Sequence, residues 1–96
     1  IEFLTGAAAP DEIVNRIREI LNEQDLVISF HDLEAHYVGP EIHVSLSMHL
    51  PEELDFEKVH KIEERITKRI RSIKGVDAVY LHLEPEDGAE ASFGKD

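Results

Sequence analysis

Imidazole and carboxylate groups dominate the reactive chemistry of this chain, which carries six His, 21 Asp or Glu and no Cys. His82 and Glu84 stand two residues apart in an alternating segment, so both side chains leave one face of a strand. A His and a carboxylate set that way can chelate a divalent ion, because zinc accepts imidazole nitrogen and carboxylate oxygen at about 2.0–2.2 Å. An ordinary solvated strand face carries the same pattern, so the pair needs partners. His49 shares a strand face with Ser47 near the end of an earlier alternating run. His31 lies where another alternation changes phase. His60 follows Val59 at the edge of an apolar helical stripe, a place where an amphipathic His also rests without ligating anything. His36 and His43 flank a turn and read as surface residues.

The same composition excludes much else. Without Cys there are no disulfides, thiolate zinc fingers, iron–sulfur clusters or thiol catalysis. No phosphate-binding loop exists among the five Gly, no His-Glu-x-x-His helix is present, and the Ser residues have no recognisable nucleophile setting. Asp32 and Glu34 are a carboxylate pair of the kind used in acid–base chemistry, but a 96-residue chain supplies no second domain to close a pocket over them. The chain therefore reads as a non-enzyme. A net charge of -11 repels a phosphate backbone and removes nucleic acid as a partner. The charge is segregated: residues 1–54, 55–74 and 75–96 carry -9, +3 and -5. No apolar run approaches the roughly 18 residues of a membrane-spanning helix. The chain opens Ile1-Glu2-Phe3 and its one Met is Met48, so it reads as a piece of a longer protein.

The elements that position these residues follow from periodicity. Pro10-Asp11-Glu12 begins a helix, with Pro in the first turn and acids at the positive end of the dipole. Ile13, Val14, Ile17, Ile20 and Leu21 give that helix one apolar side, to about residue 24. From Leu26 to Val38 a strand is predicted whose apolar parity passes from Ile28 and Phe30 to Leu33, Ala35 and Tyr37, which implies a bulge near His31-Asp32. Gly39-Pro40 is a turn. Ile42, Val44, Leu46, Met48 and Leu50 then alternate with His43, Ser45, Ser47 and His49, a strand with one buried face. Asp55 is placed as an N-cap, with Leu54 and Val59 as a hydrophobic staple. The helix after it buries Phe56, Val59, Ile62, Ile66, Ile70 and Ile73 and stops at Lys74-Gly75. A last strand sets Val79, Leu81 and Leu83 against Ala78, Tyr80, His82 and Glu84. The order α-β-β-α-β resolves as an α+β two-layer sandwich, two helices on one side of a three-stranded mixed sheet.

Five features occur together: His31-Asp32-Leu33, Gly39-Pro40, the strand to Met48, the helix carrying His60, and His82-Leu83-Glu84-Pro85. In combination, from about Ala9 to Asp87, they resemble the C-terminal cytoplasmic domain of the cation diffusion facilitator family, membrane efflux transporters for zinc and other divalent cations. The resemblance implies a metallochaperone-like domain that homodimerises below the membrane and is drawn together by cytosolic metal at the dimer interface. It implies His31, His60, His82 and Glu84 as metal ligands, one site per protomer, for Zn2+ or another divalent transition metal. The family often has a further His where Ser47 stands, and His49, two residues on, is the substitute through a rearranged coordination. Residues 1–9 then correspond to the linker after a transmembrane domain outside this chain, 10–86 to the dimerisation and metal-binding domain, and 87–96 to a disordered tail. The domain would lie on the cytoplasmic side of the cell membrane. Two other readings stay open, a structural dimerisation module with surface His residues and a free-standing metallochaperone.

Overall fold

A computed structural model describes residues 6–86; the expectations for residues 1–5 and for the tail 87–96 lie outside them. The chain forms α1 (Asp11–Asn22), β1 (Ser29–Val38), β2 (Glu41–Pro51), α2 (Phe56–Arg71) and β3 (Val76–Glu86). The sheet runs β1-β2-β3, with β1 antiparallel and β3 parallel to the central β2. This is the two-layer α+β arrangement that the periodicities predict.

Burial on one side of the sheet holds the layers together. Ile42, Val44, Leu46, Met48 and Leu50 are all buried and meet Ile17, Ile20 and Leu21 of α1 and Ile62, Ile66 and Ile70 of α2 in a single core. Intervening residues of β2 are left half-buried on the other face. Fully burying one such aliphatic side chain stabilises a fold by roughly 1.5–3 kcal/mol, so this stripe fixes which face of each strand looks outward.

Local signals set the element ends. Asp55 Oδ1 accepts a hydrogen bond from the Lys58 backbone N–H at 2.9 Å, closing the first turn of α2 as an N-cap does. Gly39 takes φ +64 in the β1–β2 turn, a left-handed conformation that glycine enters without steric cost. Residues 24–27 close the end of α1 through Gln24 to Leu21 and Val27 to Gln24 backbone bonds. For that reason β1 starts at Ser29 rather than Leu26, leaving Leu26 and Ile28 exposed. β3 continues through Pro85 because it is an edge strand, where a missing N–H removes no ladder bond. Ahead of α1, Ala8 bridges His36 and Ala9 is buried, which ties the end of the lead-in to the open edge of β1.

One expected core residue is corrected. Phe56 is 84% exposed, not buried. Helical side chains lean toward the N-terminus, so the first residue of α2 projects beyond the helix end rather than onto the sheet. Phe56 stacks instead on the His60 ring, with centroids 6.3 Å apart and an interplanar angle of 11°.

Candidate metal centre

The outward face of the sheet carries the chemistry. In register, His31 lies opposite Ser47 and Ser47 beside His82, while His49 lies beside Glu84. The predicted bulge is present: pairing slips between His31 and Glu34, and Asp32 adopts φ +56. Asp is among the few residues that enter this region readily. The slip leaves Asp32 beside the ring of His31.

Three donor atoms converge there. His31 Nε2 is 3.2 Å from His49 Nε2 and 3.5 Å from Glu84 Oε1, and His49 Nε2 is 3.1 Å from the same oxygen. A tetrahedral ion with bonds of about 2.1 Å holds its ligand atoms about 3.4 Å apart. The triangle of two imidazole nitrogens and one carboxylate oxygen has that size, so it fits a divalent transition-metal ion with little rearrangement.

Neighbouring groups orient two of these donors. A carboxylate only accepts, so the 3.0 Å contact from His31 Nδ1 to Asp32 Oδ2 places the proton on Nδ1. The Nε2 lone pair of neutral His31 then faces the centre. Fixing of the ligating nitrogen through the far ring nitrogen is the usual second-shell device of metal-binding His. His82 Nε2 lies 3.1 Å from Glu84 Oε2, the oxygen turned away from the centre, which leaves Oε1 for it. His82 itself is 71% exposed, whereas the Glu84 side chain is 24% exposed and that of His49 is 18% exposed. The Asp32 hydrogen bond raises the His31 pKa above its ordinary 6.5; partial burial opposes the shift and Glu84 adds to it.

Sequence-predicted residues divide accordingly. His31, His49 and Glu84 form one donor set, and His82 joins through the second oxygen of Glu84. His60 stands apart on α2, where its ring nitrogens face Glu63 at 4.0 Å and Glu64 at 3.4 Å. Among the described residues a second group of donors gathers at Glu41, His43 and Asp77, which spacing alone does not reveal because the three come from two strands. No helix among the described residues is long and apolar enough to cross a membrane.

Residues 9–86 match the family described as cation efflux protein, cytoplasmic domain. The chain is 37% identical over 87 residues to an uncharacterised transporter of Methanocaldococcus jannaschii, covering 91% of this chain and 31% of that protein. It is 22% identical over 72 residues to the manganese efflux system protein MneS of Bacillus subtilis, covering 75% of this chain and 25% of that one. The chain thus spans a third or less of the length of these relatives. Among solved structures, CzrB, described as a candidate zinc transporter, superposes with a TM-score of 0.73 at 26% identity, over 82% of this chain and 99% of that one. The metal-bound C-terminal domain of the CzcD transporter from Thermotoga maritima superposes with the same score at 17% identity, over 77% of this chain and 87% of that one, and bears on the fold alone. With the family match spanning all five elements, the chain belongs to the cytoplasmic-domain family of cation efflux proteins.

Proposed function

We propose that this domain is the metal-responsive cytoplasmic unit of a divalent-cation efflux transporter, dimerising through this chain and binding an ion at His31, His49 and Glu84 to couple cytosolic metal to transport. The observation that carries the reading is the donor triangle, whose edges of 3.1, 3.2 and 3.5 Å suit a tetrahedral ion. Two imidazoles and a carboxylate without thiolate suit zinc, with manganese, cobalt and nickel as weaker or geometry-dependent competitors. Zinc is the preferred assignment. His82 steers Glu84, and His60 acts from the second protomer, since within one chain it lies outside the cluster. The domain has no catalysis of its own and works on the cytoplasmic side of the cell membrane, attached to a transmembrane partner domain.

A bound ion would also relieve repulsion between protomers of net charge -11. It shifts the dimer toward its closed form only to the extent that it binds that form more tightly. The test is zinc titration by calorimetry together with small-angle scattering. Wild type should bind zinc and compact; His49→Ala should lose more than the roughly 10–100-fold in affinity that second-shell changes cost. Equal binding by both proteins would overturn the site, and binding without compaction would leave a metal-holding module in place of a sensor.

A further inference from the structure

We infer that the same sheet face carries a second divalent-cation site at its opposite end, built from Glu41, His43 and Asp77 and harder in character than the first. One ligand atom from each of these three residues lies within 4.8 Å of the other two. Glu41 and His43 are two apart on β2 and so share a face, with His43 Nε2 3.9 Å from Glu41 Oε1. Asp77 arrives from β3 by a slip of register. Ile42 pairs with Val76 and His43 with Ala78, which leaves Asp77 as the extra residue. A bulge of this kind re-aims a side chain.

Among the described residues neither Glu41 nor Asp77 has a Lys or Arg within 4.0 Å; the Lys and Arg pairs there are Arg16 with Glu19 and Arg69 with Glu23. Two carboxylates are held close together with one imidazole between strands and no cation to balance them. A divalent ion bound among them would balance the two carboxylate charges. His43 is the anchor, its side chain only 23% exposed and its ring 6.0 Å from that of Tyr80. His36 pairs with His43 across the hairpin, outside the group of converging donors. One imidazole and two carboxylates form a harder set than the two imidazoles and one carboxylate of the first centre, so it discriminates less against Mn2+ relative to Zn2+.

The site is independent of the first, and the test distinguishes them. Zinc equivalents per chain are counted by equilibrium dialysis for wild type, for His49→Ala/Glu84→Gln and for Glu41→Gln/Asp77→Asn, with circular dichroism confirming that each is folded. Mn2+-induced broadening of amide signals locates the second ion. The expected result is two equivalents for wild type, one for each double variant, and broadening centred on residues 41–43 and 76–78 that His43→Ala removes. No binding by the His49/Glu84 variant, or two equivalents retained by the Glu41/Asp77 variant, would overturn the second site. A His49/Glu84 variant that binds as wild type does would instead overturn the first.

Discussion

Asp32→Asn is the sharpest probe of the first centre, because it changes one charge and little else. Asn enters the left-handed region as readily as Asp, so the φ of +56 at the bulge is preserved. An Ala there would confound the experiment with a conformational cost of roughly 1–2 kcal/mol. The Asn carbonyl still accepts from His31 Nδ1–H, but the anion that makes Nε2 more basic is gone. Second-shell losses of this sort lower metal affinity by about 10–100-fold, which is about 1.4–2.7 kcal/mol. Calorimetric zinc titration at alkaline and at mildly acidic pH is the assay, and the pH dependence carries a sign. The carboxylate raises the His31 pKa above 6.5, so in wild type the proton competes with zinc at a higher pH than it does in the variant. Wild type therefore loses affinity first on acidification, and the gap between the proteins should be widest at alkaline pH and narrow as pH falls. Equal affinities at alkaline pH, or a gap that widens with acid, would refute the role assigned to Asp32.

The metal-free protein should respond to pH in the opposite sense from its metal complex. With its folded pKa raised, His31 contributes stability that is present below about 6.5, the unperturbed imidazole value, and is lost as pH rises through the folded value. Thermal melts with and without zinc should thus diverge increasingly as pH rises. Ile66→Ala, at a fully buried position of α2, should destabilise the domain by about 2–5 kcal/mol in urea titrations. Phe56→Ser, at a position that is 84% exposed, should change the stability of the isolated chain by no more than about 0.5 kcal/mol. Raising salt from 0.15 M to 1 M shortens the Debye length from about 8 Å to about 3 Å; zinc-induced compaction that survives this change reports ligation across the dimer, and compaction that vanishes reports charge relief alone.

Much of this architecture is legible in the chain because β2 is an uninterrupted ruler. Its alternation from Ile42 to Leu50 fixes one buried and one open face, and the helical stripes of α1 and α2 can only cover the former. The Asp55 cap and the His31-Asp32 bulge are visible for similar local reasons. Pairing across strands is not local. That His49 meets His31 and Glu84, while Ser47 lies between His31 and His82, depends on register, which spacing within one strand does not state. Periodicity assigns Phe56 a helical face but does not state where the helix ends relative to the core, and there the residue is exposed. The Glu41, His43 and Asp77 group is not legible in the sequence, since His43 reads as an ordinary turn-flanking residue and Asp77 gains its place only through the second slip.

Both slips have one cause. Phe30 and Leu33 both pack on the core, and so do Val76 and Val79; each pair is separated by three positions. In a regular strand, residues an odd number apart face opposite sides, so neither pair can be buried together unless the strand gains a residue between them. The pairing shows this gain between His31 and Glu34 and between Val76 and Ala78. The residues caught at the break, Asp32 and Asp77, are both acidic and exposed, and each sits by a His, His31 in one case and His43 in the other. A polar residue is what such a position tolerates, since it leaves the ladder and meets water. Demands of the core thus deliver a carboxylate beside an imidazole at each end of the sheet. The two clusters differ in what β2 and β3 add: His49 and Glu84 complete one as a compact triangle, whereas Glu41 alone joins the other, which is why the first should bind the more tightly.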